Sequence, residues 1–142
     1  MTPTMKLEVL TPDKQVLEAT ATAIRVLLPD GWWGILPGHA PMIAYLDEGV
    51  AHYTSDENNK RFVALYRGTI EVQKKLGEPT RVLILTSAAE EGGDLDEVQT
   101  ALDEQANKLA ELAKQANMEF NQLRLSLEKS LQKADISDIG LQ

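Results

Sequence analysis

The run Gly31-Trp32-Trp33-Gly34-Ile35-Leu36-Pro37-Gly38-His39-Ala40-Pro41 restricts the fold of this chain more than any other stretch. Proline lacks an amide hydrogen and glycine admits backbone angles closed to other residues, so this density of both cannot continue a helix or a central strand. The run reads as a fixed loop that sets two tryptophans and a histidine at defined positions. In extended backbone, neighbouring side chains point to opposite faces. Either one of Trp32 and Trp33 enters the core while the other faces outward as a contact anchor, or both rings fill the end of the core.

The residues before and after this run favour short strands. Met5 to Leu10 alternates, with Met5, Leu7 and Val9 on one side and Lys6 and Glu8 on the other, and Thr11-Pro12-Asp13 closes it. Further runs cover Gln15 to Glu18, Ala21 to Leu28, Met42 to Leu46, Val50 to Thr54, Arg61 to Tyr66, Thr69 to Gln73 and Arg81 to Thr86. Turn residues separate them, including Asp47-Glu48-Gly49 as a hairpin signal and Arg67-Gly68. Strands this short and this closely spaced point to an antiparallel sandwich or flattened barrel.

At Ala88 to Asp94 the composition changes, and beyond it there is no proline and no glycine until Gly140. Leu95, Val98, Leu102, Leu109, Leu112 and Ala116 recur at helical spacing, with Gln105 breaking the stripe. Asp94 can cap the first turn, where Asp96 and Glu97 complement the helix dipole. A second stripe, Phe120, Leu123, Leu127, Leu131 and Ala134, reads as lying on a different phase, with Asn117 available as a cap between the two. A helical hairpin is the simplest account, and the lack of a strong breaker leaves one long helix open. Narrowly amphipathic helices of this kind need a partner surface. These boundaries divide the chain into a sandwich over 1–88, a linker over 89–94 and a helical domain over 95–142.

The charge balance narrows the function. The chain has 22 acidic against 14 basic residues, a net charge of −8. That disfavours nucleic acid or an anionic membrane as a partner and favours proteins. No cysteine is present, which excludes a disulfide framework or a thiol nucleophile. No apolar run approaches the roughly 20 residues of a spanning helix, and the first residues lack a signal peptide's apolar core, so no direct membrane insertion is expected.

The motifs of catalysis are also missing. His39 and His52 are the two histidines, and neither has a supporting nucleophile or ligand set in the sequence, so no metal site is expected and a structural His39 is favoured over a catalytic one. A hydrolytic sandwich using His39 and a carboxylate would lack a recognisable nucleophile. Gly34-Ile35-Leu36-Pro37-Gly38 precedes no helix that could carry a phosphate. The acidic run Glu90, Glu91, Asp94, Asp96 reads as a solvated helix start rather than a divalent-ion site.

Gly34-Ile35-Leu36-Pro37-Gly38-His39-Ala40-Pro41 is similar to the Gly-(Ile/Leu)-x-Pro-x-His-Ala-Pro segment of the epsilon subunits of F-type ATP synthase. Leu7 to Pro12, Gly68 to Val72, and Leu83 to Ala88 running into Asp94-Leu95-Asp96 support the resemblance, which covers nearly the whole chain. It implies a β-sandwich of about ten strands followed by two helices. It also implies a non-catalytic rotor subunit without a cofactor, peripheral to the cytoplasmic face of the bacterial inner membrane. Its implied partners are the gamma subunit, the ring of c subunits and, through the helices, the catalytic alpha and beta subunits, with restraint of ATP hydrolysis as a helical function. The contact loop would use Trp32, Trp33, His39 and Pro41, with Trp32 at the ring-facing position. A free-standing adaptor binding an unrelated protein through its helices is the competing reading.

Two departures from the family pattern carry expectations. Where some relatives have Leu/Ile-Asp-x-x-Arg-Ala for regulatory ATP, this chain reads Leu95-Asp96-Glu97-Val98-Gln99-Thr100, so Gln99 and Thr100 leave the motif without its arginine. The basic residues Arg124, Lys129 and Lys133 are offset by Glu119, Glu128, Asp135 and Asp138, which implies modest inhibition carried by those three cations.

Overall fold

In a computed structural model the backbone is described for residues 3–140 and the side chains for residues 3–132. Six strands precede one helix: β1 (Met5–Leu10), β2 (Gln15–Leu28), β3 (Gly31–Ile35), β4 (Met42–Ser55), β5 (Lys60–Gln73), β6 (Arg81–Gly92) and α1 (Leu95–Gly140). The sheet runs β1-β6-β5-β4-β2-β3, and β1 also pairs with β2, which closes five strands into a flattened barrel with β3 on its edge. β1 is antiparallel to β2 but parallel to β6, so the expected all-antiparallel sandwich has one parallel ladder.

The strands are fewer and longer than the expected ten because several turn signals are absorbed as bends. Gln15–Leu28, Met42–Ser55 and Lys60–Gln73 each run 14 residues through positions read as breaks. Leu46 pairs with Gly68 and Glu48 with Tyr66, so the β4–β5 ladder steps over Asp47 and Arg67 without changing register. Gly68 pairs in turn with Thr86, and Tyr66 with Ala88. Arg67 takes a left-handed φ of 57°, which bends β5 between two layers. Gly68 permits the close approach, because a Cβ there would overlap the carbonyl of Leu85. Each long strand thus serves both layers, one holding Met42–Leu46 and Thr69–Gln73, the other Val50–Ser55 and Lys60–Tyr66.

One core lies between the layers. Met5, Leu7, Val9, Ile70, Val72, Val82 and Ile84 face Ile24, Val26, Ile35, Val63 and Leu65, all nearly or fully buried. Alternation puts these residues on the inner faces. At roughly 1.5–3 kcal/mol for each large side chain buried, this cluster dominates the stability of the sandwich.

The helical hairpin is replaced by one continuous helix of 46 residues. Asp94 caps it, its Oδ1 accepting from the amides of Asp96 at 2.8 Å and Glu97 at 3.2 Å. Nothing after this cap forces a second start, and Asn117 is too weak a breaker to end a helix between good formers. At about 100° per residue the two apolar stripes share one sector about 100° wide, from Val98 to Ala134, so they are one stripe rather than two phases. The strand β6 also extends to Gly92, so most of the expected 89–94 linker is sheet.

The chain divides into two compact units, residues 1–106 and 107–142. Within the first, Val98 and Leu102 of α1 are buried with Ala64 and Ala88, against Phe62 and Tyr66. Gly92 makes room for this contact, since a Cβ there would meet Val98 Cγ1 at 2.8 Å. Gln105, on the same stripe, buries its Oε1 without a hydrogen-bond partner. In the second unit the helix residues 107–132 are exposed.

A Gly68→Ala substitution is expected to destabilise the sandwich by about 4 kcal/mol or more, because the clash is with backbone that two ladders hold in place. Urea denaturation checks this, and a midpoint equal to that of the parent chain would refute the bend as a steric requirement.

Candidate functional site

The structure divides the glycine-rich run at Leu36. Gly31–Ile35 forms β3, an edge strand rather than loop, with Trp33 opposite Val26 and Trp32 opposite Leu27. An edge strand tolerates Gly31 and Gly34 because only one side must sustain a ladder. Pro37 and Gly38 form the turn proper. Gly38, at φ 90°, donates its amide to the buried Thr80 hydroxyl at 2.7 Å, and the His39 amide donates to the Leu36 carbonyl at 3.0 Å. The turn is therefore tied to the segment before β6.

Neither tryptophan is a core residue, and the burial of both is overturned. Trp32 is 50% and Trp33 38% exposed, because an edge strand leaves even its inward side partly uncovered. They serve different faces. Trp33 donates its indole N–H to Asp30 Oδ1 at 2.9 Å and lines a groove of about 480 Å³ with Leu28, His39, Pro41, Met42 and Tyr45. Trp32 lies on the opposite side of β3, its ring 5.7 Å from that of His52. Of the four expected contact residues the groove therefore unites Trp33, His39 and Pro41, and not Trp32.

His39 is engaged locally. Its Nδ1 lies 2.7 Å from the Ala40 carbonyl, so that nitrogen carries the proton and the ring is held against its own backbone. His52 sits below its ordinary pKa of 6.5, first because burial disfavours the charged form and then because Lys60 and Arg25 repel it.

A larger surface had no signal in the turn motifs. On the outer side of the first layer, Ile43 pairs with Glu71, Glu71 with Leu83 and Leu83 with Glu8; beside them Tyr45 pairs with Thr69, Thr69 with Leu85 and Leu85 with Leu10. Ile43 is 74%, Tyr45 58% and Leu85 46% exposed. The second row ends at a hollow of about 540 Å³ lined by Leu10, Pro12, Gly68, Thr69, Leu85 and Ser87. Its signal was available in Val82-Leu83-Ile84-Leu85 and Met42 to Leu46, which are apolar on both sides of the pleat and so call for cover on both.

The helix places the remaining expected residues. Gln99 Nε2 donates to Asp103 Oδ1 at 3.2 Å, and Thr100 lines a shallow hollow with Asp96, Glu97 and Glu104. Three carboxylates without a facing cation repel a triphosphate. Arg124 and Lys129 are exposed on α1, and Lys133 lies outside the residues whose side chains are described. Among the described residues no group of three or more His, Asp or Glu side chains gathers as a metal site. No helix among them is long and apolar enough to cross a membrane.

The sequence model of the family described as ATP synthase delta/epsilon chain, β-sandwich domain, matches residues 4–92. Over 136 residues the chain is 34% identical to the ATP synthase epsilon chain of Halalkalibacterium halodurans, covering 95% of this chain and 98% of that one. It is 30% identical over 139 residues to the ATP synthase epsilon chain of Bacillus cytotoxicus, covering 96% and 98%. Among solved structures, a chain in the Euglena gracilis mitochondrial ATP synthase OSCP/F1/c-ring complex superposes with a TM-score of 0.56 at 22% identity. That match covers 71% of this chain and 62% of the other, and shows a shared fold.

Two outcomes are expected. Because folding lowers the His52 pKa, the unfolded state binds more protons than the folded one as pH falls through about 6.5, so His52 subtracts stability on acidification. A His52→Gln variant should lose stability less steeply between pH 7 and 5 in urea titrations, and an unchanged slope refutes the assignment. Isothermal titration with ATP should give no micromolar binding, and a clear micromolar isotherm would overturn the reading of the acidic hollow.

Proposed function

The chain belongs to the family of ATP synthase delta/epsilon chains, and from that premise we propose that it works as a non-catalytic central-rotor subunit, peripheral to the membrane and coupling rotation of the c ring through gamma to ATP synthesis. The observation that carries this reading is the outer apolar surface of the first layer. Ile43 and Tyr45 of β4, Leu83 and Leu85 of β6 and Leu10 of β1 lie on one side of the layer with Thr69 and Glu71 of β5 between them, and an isolated sandwich has no use for apolar side chains as exposed as Ile43, Tyr45 and Leu85.

In this reading the two cross-strand rows meet gamma, while the groove of Trp33, His39 and Pro41 meets the c ring. The rigid tie of Gly38 to Thr80 supports the second contact, since a coupling element must transmit force without yielding. The sandwich acts as the rotor-binding domain and the helix as the regulatory one. Leu109, Leu112, Phe120, Leu123, Leu127 and Leu131 form one exposed stripe on α1, which suits an element that exchanges partners. Arg124, Lys129 and Lys133 would then give modest restraint of hydrolysis through the catalytic subunits, at the cytoplasmic face of a bacterial membrane.

Reconstitution of the assembled enzyme tests both parts. Tyr45→Glu with Leu85→Glu should abolish co-purification with gamma while leaving the isolated chain folded, and retained co-purification would sink the docking assignment. Removing residues after Ala106 should raise ATP hydrolysis severalfold at most, and an unchanged rate would count against regulation by the helix.

A further inference from the structure

The outer side of β3 is a backbone edge without cover. In the sheet order β3 is the last strand, paired with β2 from Gly31 to Ile35, and among the described residues no strand pairs with its other side. A row of amide and carbonyl groups left in this way is a template for another strand. Proteins commonly blunt such edges with proline, lysine or a bulge, and Gly31-Trp32-Trp33-Gly34-Ile35 contains neither a proline nor a charged residue. Its ladder with β2 keeps one register throughout, so no bulge turns the edge away.

The sequence around β3 is nearly symmetric about Trp33, with Pro29 and Pro37 four residues to either side. Identical edges that pair about a two-fold axis run antiparallel, with one residue facing its own copy. If Trp33 is that residue, Trp32 faces Gly34 of the second copy and Gly31 faces Ile35. All of β3 then pairs with itself, and the prolines fall opposite each other beyond the ladder. Moving the axis to Trp32 sets Pro29 against Ile35, and moving it to Gly34 sets Pro37 against Gly31. Either shift puts a residue without an amide hydrogen into the ladder.

Side-chain size and free space agree with the register centred on Trp33. A Cβ at Gly34 would meet nothing within 4 Å, so the space over this glycine is open, and the half-exposed Trp32 is the ring that the register lays there. A large ring opposite a glycine makes good the packing that the glycine lacks in an edge strand. Trp33 and Leu36 add exposed apolar side chains to the same edge. No like charges face each other, since Asp30 falls opposite Leu36. We propose that the free chain pairs with a second copy of itself through β3, antiparallel and centred on Trp33, which joins the two second layers into one continuous sheet. The inference does not rest on the rotor reading, in which the groove beside Trp33 has a different partner.

Sedimentation equilibrium of the full chain, from low micromolar to millimolar concentration, tests this pairing. The mass should double and go no higher, because a two-fold contact is closed. Association should strengthen with salt, which screens the repulsion between two copies of net charge −8. Trp33→Lys sets a cation opposite its own copy and should weaken pairing about tenfold, as should Trp33→Glu, whereas an equimolar mixture of the two variants should recover a heterodimer. Should either variant lose its fold by circular dichroism, Trp32→Ala, at an exposed position, should still weaken pairing severalfold. A chain that stays monomeric or grows past a dimer, a mixture of folded variants no better associated than either alone, or a dimer unchanged by Trp32→Ala would each overturn the proposal. So would a dimer that Phe120→Ser dissociates, since Phe120 belongs to the exposed stripe of α1.

Discussion

The two ladders of β1 are the constraint on which the rest of the structure depends. One side of this strand pairs antiparallel with β2 and the other parallel with β6 over residues 81–85, joining chain segments more than 70 positions apart. Without that closure the sheet would have open edges at β1, β2 and β6, and the inward residues Met5, Leu7 and Val9 would lose the opposing layer that buries them. The closure also forces the long strands to bend, and the bend at Arg67 and Gly68 follows from it.

Once the inner faces are committed to the core, function is left to the outer ones. They are unlike each other. The first layer presents aliphatic and tyrosyl side chains interleaved with Glu8, Glu71 and Thr69 in two cross-strand rows, while the second presents rings with cations over them and a short docked stretch of α1. The glycine-rich run lies at the margin between such surfaces: β3 sends Trp32 to one side and Trp33 to the other, and the anchored turn at Gly38 holds the groove wall in place. One short motif thereby places a tryptophan on each of two separate surfaces.

The helix shows how the same residues can be secured at one end and unpartnered beyond it. Val98 and Leu102 fill a space that Ala64, Ala88 and Gly92 leave open by being small. Gln105 then brings a carboxamide oxygen to the buried side without a hydrogen bond, which works against extending that contact. The leucines and phenylalanine that follow keep the stripe but not the cover.

The residues by themselves determined the alternation of Met5 to Leu10, the Asp94 cap, the helical character of Leu95 to Gly140, the family resemblance and the lack of a recognisable catalytic motif. These are local matters, decided by side-chain period, capping chemistry and residue type. Tertiary structure alone decided that Asp47-Glu48-Gly49 and Arg67-Gly68 bend strands instead of ending them, because a turn signal becomes a bend when neighbouring ladders hold register across it. It likewise decided that Gly31–Ile35 is an edge strand and that Trp32 and Trp33 part company. Pattern can state that a strand is apolar on both sides, as at Leu83 and Leu85, but only the arrangement of layers shows which of those sides the chain leaves uncovered.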